Sequence, residues 1–481
     1  MLLVIDIGTS TFKAALLGYD GSCGGMASRA LPMVSSGGRH ETDSALWLRA
    51  FERTMAELGA GLGAVEALVV SGNGPTVVPV TGEPTLCGGE LRLEADSARL
   101  WLDRRAEEEA RKVSAIMGGY VDAGFFLPKI LALKNRERGL YGRTRYFLGT
   151  PEFLVYALTG QARTVFPSEG FDRWFWNDAV LTAAELDREK LPAFVSPGDY
   201  MGDVLPEVAA RFGFGRGVQV FAGGPDFFVS ILGTGTVRPG QACDRAGTSE
   251  GVNLCTQVRI TDQRLMSYGH PVKPFWNLSG IISTSGKAID WGRELLGIAE
   301  APYEAFYEPA SRAAPGAGGV IFLPYLAGER APIWDPNARG VFMGLSLDTG
   351  RGELARAVAE GVCFAMRDVI AVMEELGAPL EELRVAGGPG ESDFLNQLKA
   401  DVTGRPVAVP SGTVPAELMG LAVLGAAAMG KYGSTTEAAG AMVRTGRVFT
   451  PDREKTRLYD GIFEEYRELY RILKGRFAKN P

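Results

Sequence analysis

Short apolar runs that end in glycine turns recur along the chain, separated by longer stretches with helical spacing. Residues 2–5 form an apolar, β-rich run ended by Asp6-Ile7-Gly8-Thr9-Ser10, and a second run, 13–17, follows at once and closes at Tyr19-Asp20-Gly21. This pattern predicts strand, glycine turn, strand: a hairpin rather than a strand-helix unit. Residues 43–58 have helical periodicity, 67–71 form a buried strand, and 103–112 and 151–158 are expected to be helices. An apolar strand over 218–226 runs into Gly223-Gly224-Pro225-Asp226, with a helix over 227–233 starting there. Val237-Arg238-Pro239-Gly240 is a turn and a domain boundary. After it, residues 242–254 again read strand, Gly247-Thr248-Ser249 turn, strand.

The remainder predicts a long helix over 353–376, a strand over 383–386 ending in Gly387-Gly388, and a helix over 392–403. The small-residue helix 417–430 must pack very closely against another element. The tail, 455–474, is amphipathic, with Tyr459, Phe463, Tyr466 and Tyr470 on one face. Core packing is the expected role of that face, with a homodimer interface as the alternative. The turns Asp6–Ser10 and Arg245–Ser249 echo one another at the head of two halves of similar size. That echo predicts duplicated domains facing each other, 1–236 and 237–481.

Composition narrows the chemistry. The 481 residues are 46% apolar and 22% charged, enough to bury large cores. A net charge of −7 without a long basic run gives no expectation of nucleic-acid binding. No apolar run approaches the ~18 residues of a membrane span, and the N-terminus reads as a strand rather than a signal peptide. Five scattered cysteines (Cys23, Cys87, Cys243, Cys255, Cys363) with no CxxC predict reduced thiols in a cytoplasmic protein. With only His40 and His270, a histidine-rich metal site is excluded, and neither residue lies near a nucleophile elbow.

A tight glycine turn between strands leaves backbone N–H groups pointing outward, a nest that cradles phosphate oxygens; neighbouring hydroxyls add donors. Gly8-Thr9-Ser10 and Gly247-Thr248-Ser249 both have this form. Either alone reads as an ordinary hairpin turn; the symmetric pair points to phosphate. Asp6 suits a water-linked Mg²⁺, and Lys13 is placed near a transferred phosphate. No P-loop is present: Gly280 to Lys287 is one residue too long, and Ala288 stands where Ser or Thr is needed. Asp226, after a buried strand at a helix start, is either a carboxylate that accepts a substrate proton or a helix N-cap, and the roles can coexist. Gly387-Gly388-Pro389-Gly390 reads as a nucleotide-binding turn or a plain strand-to-helix turn.

With these residues in view, the chain resembles the FGGY carbohydrate kinases over nearly its whole length. Ile5-Asp6-Ile7-Gly8-Thr9-Ser10 with Lys13 is similar to the family's first phosphate motif, and Gly247-Thr248-Ser249 to the second. Trp101-Leu102-Asp103-Arg104-Arg105 resembles its substrate-side motif, Pro128-Lys129 its PK motif, and Ala222 to Asp226 the segment with the catalytic aspartate. The most specific match is Phe322 to Pro332, and Glu360-Gly361, Gln397, Ala400-Asp401 and Gly425-Ala426-Ala427 continue it. The resemblance implies an α/β fold of two duplicated actin-like (ribonuclease H-like) ATPase domains with an interdomain active-site cleft. The sugar side would be 1–236 and the nucleotide side 237–481.

It further implies ATP-dependent phosphorylation of a hydroxyl of a small sugar or polyol, a ketose such as xylulose. A glycerol- or tetritol-type kinase and a non-catalytic sugar-sensing relative are the alternatives. In this reading Asp226 is the catalytic base, and Asp6, through water, and Asp226 attend Mg²⁺. Gly8, Thr9, Ser10, Lys13, Gly247, Thr248 and Gly286 hold ATP phosphates, while Gly387, Gly388 and Ser392 line the adenosine pocket. Asn73, Trp101, Asp103, Asp226 and Phe227 are candidate sugar contacts, with an Asp103–Arg105 ion pair as the other reading of Asp103. The departures lie on the substrate side. Xylulokinase-like members carry Ser-Gly-Gln-Met-His-Gly where this chain has Ser71-Gly72-Asn73-Gly74-Pro75-Thr76. The segment 164–171 departs as well, giving a smaller, less polar wall.

Overall fold

In the computed structural model, which describes residues 1–478, the chain divides into two compact units. The first comprises Met1–Gly233 with Val414–Val443; the second comprises Thr234–Thr413 and the segment from Arg444 onward.

The first unit is built on β1 (Leu2–Ile7), β2 (Thr11–Leu17), β3 (Cys23–Ala30), β4 (Ala67–Gly72), β5 (Tyr200–Asp203) and β6 (Gln219–Pro225), in the spatial order β5-β6-β4-β1-β2-β3. β1, β2 and β3 form an antiparallel meander; β1, β4 and β6 run parallel; β5 closes the edge antiparallel. Every residue of β1 and β4 is buried, which is why they read as unbroken apolar runs rather than alternating ones. Leu3, Ile5 and Ile7 point into a core shared with Trp47 and Phe51 of the helix Ala45–Leu58 and Phe153 of the helix Thr150–Thr159. The opposite face meets the helix Ala416–Ala428, where a β-carbon on Gly425 would stand 2.6 Å from Val69 Cγ2 and 3.4 Å from Leu2.

The second unit repeats the plan with β7 (Gln241–Ala246), β8 (Glu250–Thr256), β9 (Met266–Gly269), β10 (Trp276–Ile282), β11 (Glu382–Ala386), β12 (Val407–Pro410) and β13 (Thr445–Phe449), in the order β9-β10-β8-β7-β11-β12-β13. Again a meander, β7-β8-β10, leads into three parallel strands, β7, β11 and β12, and an antiparallel edge strand. β9 is an addition beyond β10. The echo between the two glycine turns therefore reflects the same position, between the first two strands, in two sheets of one topology.

Three expectations are corrected. The second unit is not the contiguous stretch 237–481, because Val414–Val443 belongs to the first unit. The helix Ala416–Ala428 is apolar on all sides, buried from Leu418 to Ala426, and only a position between a sheet and a second helix covers such a surface. The aromatic face of the C-terminal helix Arg453–Phe477 is core, not a dimer surface: Tyr459 and Tyr466 are fully buried, and the Tyr466 hydroxyl hydrogen-bonds that of Tyr325 at 2.7 Å. The helix expected over 103–112 begins only at Glu107. No helix among the described residues is long and apolar enough to cross a membrane.

Candidate functional site

The register of the first sheet gathers charge at one end. Asp6 lies opposite Lys13 on β2 and Ser71 on β4, so the three side chains share one face. Ser71 Oγ donates to Asp6 Oδ1 at 2.8 Å. Lys13 Nζ donates to Glu417, in the first turn of the helix Ala416–Ala428. Asp6 is 3% exposed. Burial, then the negative charges of Asp226 and Glu417, push its carboxyl up to about 7, against the Ser71 hydrogen bond and the Lys13 ammonium. Asp226 is the first residue of the helix Asp226–Gly233, and its Oδ1 accepts the Phe227 amide at 2.6 Å. The cap-like contact and a place among these charged groups therefore coexist.

Among the described residues, no three His, Cys, Asp or Glu side chains stand close enough to hold a metal ion by themselves. Asp6 and Asp226 fit a cation completed by water and phosphate oxygens, the usual coordination of Mg²⁺.

The Gly8 amide donates to the Thr11 carbonyl at 2.9 Å, which closes the first turn, and Ser10 is exposed beside it. Trp101 Nε1 donates to Thr9 Oγ1 at 3.0 Å, so the tryptophan is held directly over the turn. Asn73 donates its backbone and side-chain amides to the Ile7 carbonyl at 2.8 and 3.0 Å, and its Oδ1 accepts from Thr76 Oγ1 at 2.7 Å. Most of its hydrogen-bonding capacity thus fastens the 72–76 loop to the end of β1. Asp103 takes the ion-pair reading: both oxygens accept from Arg105, one also accepts from the His40 amide, and the residue is 3% exposed. The carboxylate is thus buried and engaged with Arg105.

Phe227 packs against Phe171 and Trp174, with ring centroids 6.0 and 5.9 Å apart. This aromatic wall borders a small cavity whose lining includes Asn73, Pro75, Glu152, Trp174, Phe175 and Pro225.

In the second unit, the exposed Gly247–Thr248 turn is tied to the start of the helix Gly286–Leu295. The Gly286 and Lys287 amides donate to the Gly247 and Thr248 carbonyls at 2.9 and 3.2 Å. A β-carbon on Gly286 would stand 2.4 Å from the Gly247 oxygen, so this position needs glycine for the turn itself. Gly387 has φ +92°, and a β-carbon there would stand 2.1 Å from the Ala246 oxygen; Gly388 is exposed with open space around it. Ser392 caps the helix Asp393–Thr403, its hydroxyl accepting from the Leu395 amide at 3.2 Å.

Three contributors escaped sequence reasoning. Ser71 and Glu417 stand beside Asp6 and Lys13 only because of sheet register and helix placement. Glu417 does leave a trace, as the one acid opening an otherwise apolar helix. Lys129, noted only as part of a motif, is 3% exposed and donates to the Pro75 and Leu100 carbonyls at 2.8 and 2.7 Å. Burial lowers its ammonium pKa to about 7.

The model of the N-terminal domain of the FGGY family of carbohydrate kinases matches residues 1–233, and that of the C-terminal domain matches 245–429. The chain is 30% identical to the xylulose kinase of Escherichia coli (strain K12), covering 98% of this chain and 99% of that protein. It is 32% identical to the xylulose kinase of Klebsiella pneumoniae over 84% and 85% of the two chains. Among solved structures it superposes on the xylulose kinase of Rhodospirillum rubrum with a TM-score of 0.82 at 26% identity, covering 99% of each chain. The two-domain α/β architecture is that of these kinases, and the activity is that of a phosphotransferase. The chain belongs to the FGGY family of carbohydrate kinases.

Proposed function

We propose that the chain transfers the terminal phosphoryl group of ATP to a hydroxyl of a small ketose of the xylulose kind, with Asp226 as the base. The observation that carries this reading is the convergence of Asp226, Asp6, Lys13 and Glu417, from the ends of β1, β2 and β6 and two helices, next to an aromatic-walled cavity. The xylulose kinases that match almost end to end support the acceptor class. The substitutions at Gly74 and Pro75 and the aromatic wall bear on which ketose is accepted.

Asp226 takes the proton of the attacking hydroxyl, which needs an ionised carboxylate within hydrogen-bond reach. Lys13 exchanges part of its pairing with Glu417 for the transferred phosphoryl oxygens. Trp101 and Phe227 offer flat apolar faces to the sugar. The glycine amides close the turns at Gly8–Ser10 and Gly247–Thr248, and the amides of Thr9, Ser10 and Thr248 are offered to phosphate oxygens. The open surroundings of Gly388 leave room for the nucleoside. Mg²⁺, when bound, supplies charge neutralisation on the phosphates, and Asp6 orients its water shell. None of the five cysteines is joined in a disulfide, which suits the cytoplasm.

The test is ADP release with ATP and Mg²⁺ across ketopentoses, ketohexoses, aldoses, tetritols, pentitols and glycerol. Strong release with one ketose, absent without it, is expected. A polyol as the sole acceptor, or turnover that ignores the acceptor, would overturn the assignment.

A further inference from the structure

The second unit buries three charged side chains for which neither the fold nor the proposed chemistry accounts. Asp244 on β7 is 0% exposed, Glu250 at the start of β8 is 1% exposed, and Lys399 on the helix Asp393–Thr403 is 1% exposed. Glu250 lies opposite Ala246 in the β7–β8 register, so it and Asp244 are diagonal neighbours on one face of the sheet. Lys399 Nζ meets both: it donates to Asp244 Oδ2 and, at 2.5 Å, to Glu250 Oε1. Burial, then the adjacent Glu250, raises the Asp244 carboxyl well above the usual carboxylate range, whereas Glu250 is held below it by Lys399 and its hydrogen bonds in spite of burial. Tyr307 and Cys363 flank the same ammonium.

Such a cluster is a poor stabiliser, since apolar residues of equal volume usually serve as well or better. What it does supply is geometry. Asp244 and Glu250 sit on the two arms of the hairpin whose tip is Gly247-Thr248-Ser249, one on each side of the turn. Glu250 Oε2 accepts from Ser285 Oγ at 2.6 Å. The Ser285 amide in turn donates to the Thr248 carbonyl at 3.3 Å, and Gly286 and Lys287 continue the contact with the turn. Lys399 itself rides on the helix that Ser392 caps, immediately after the Gly387–Gly388 turn. One ammonium therefore joins the three segments assigned to nucleotide: 247–248, 285–286 and 387–392.

We propose that Lys399, acting through Glu250 and Ser285, is a positioning residue that holds the Gly247–Thr248 turn in its nucleotide-binding form. The cluster touches no substrate; it acts by holding the turn and the helix start in register. The inference rests on the kinase reading of the second unit.

The test measures Mg-ADP binding by calorimetry, together with the KM for ATP and for the acceptor, in the full-length protein. Ser285→Ala leaves the buried charges paired and cuts only their link to the turn. It is expected to weaken ADP binding and raise the ATP KM by about tenfold, the scale of one hydrogen bond to a charged group. The acceptor KM should stay unchanged, and the melting temperature should fall by no more than the loss of one buried hydrogen bond accounts for. Lys399→Met is expected to weaken binding further and to lower the melting temperature; if it fails to fold, Ser285→Ala decides. A Ser285→Ala protein that binds ADP as the wild type does overturns the proposal and leaves the kinase reading intact. A wild-type protein that binds no ADP overturns the kinase reading, and this inference with it.

Discussion

A β-carbon placed on Gly420 would lie 1.9 Å from the carbonyl oxygen of Val229. The contact is mutual: one on Gly233 would lie 1.7 Å from the Ala416 oxygen. The helices Asp226–Gly233 and Ala416–Ala428 thus cross backbone to backbone. In this crossing the end of the first helix meets the start of the second, and Asp226 and Glu417 each set negative charge near Asp6.

Gly420→Ala should therefore destabilise the protein by about 2 kcal/mol or more, as overpacking outweighs the gain of about 1 kcal/mol that alanine brings to a helix. Gly440, exposed on the helix Thr435–Met442 with nothing near its β-position, is the control. There the same change should stabilise by up to about 1 kcal/mol. Urea denaturation of both variants checks the pair.

Asp226→Asn removes the proton acceptor and one of the charges that raise the Asp6 carboxyl, while the amide oxygen can still accept from Phe227. Turnover should fall by roughly 10²–10⁴-fold, with nucleotide binding retained. Near-normal turnover would take Asp226 out of the base role.

Lys129 fastens the Pro75 carbonyl to that of Leu100, one residue before Trp101. Lys129→Met fills the volume and releases both carbonyls. The acceptor KM should rise by about tenfold, with the ATP KM within twofold of wild type, on the scale of one or two lost hydrogen bonds. An ATP KM that moves with the acceptor KM would point to general loosening instead.

Glu152 is buried, accepts the Val165 amide at 3.0 Å, and has its carboxyl pushed up to about 7 by burial. Between about pH 4.5 and 7 the folded protein holds a proton there that the unfolded chain releases. Its contribution is fully present below the unfolded value and is lost as pH rises through 7. Glu152→Gln should melt like the wild type at pH 5 and higher at pH 8, by on the order of 2–3 kcal/mol in stability. Melting curves at the two pH values decide it; an equal gain at both would show that ionisation is not the cause.

Thr248 stands on an exposed turn, so Thr248→Ala should leave the fold intact. The ATP KM should rise several-fold, by up to about tenfold for one lost hydrogen bond to phosphate, while the acceptor KM holds. Steady-state kinetics with each substrate varied in turn provide the check.

Much of the site was legible locally. The turns at Gly8 and Gly247 announced themselves because a glycine between two apolar runs is a signal contained within a few residues, and the strand before Asp226 likewise. Asp103 was ambiguous, since Trp-Leu-Asp-Arg-Arg allows either a ligand contact or an ion pair. Burial and the Arg105 geometry selected the ion pair. Glu417 was illegible as a partner of Lys13, and Lys399 as a partner of Asp244 and Glu250. A single charged residue on a helix reads as a solvated face until the surface it packs against is known.

The amino-acid sequence by itself determined the strands and their turns, the duplicated hairpin at the head of each sheet, and the motifs that mark the family. These depend on residue periodicity, turn stereochemistry and short collinear patterns. The tertiary structure alone decided that Val414–Val443 belongs to the first unit, that the C-terminal aromatic face is core, and that Asp6 shares its corner with Ser71 and Glu417. Each of those outcomes turns on strand register or on which buried face covers which. A two-residue periodicity says that a side chain faces inward or outward, but not what will meet it there.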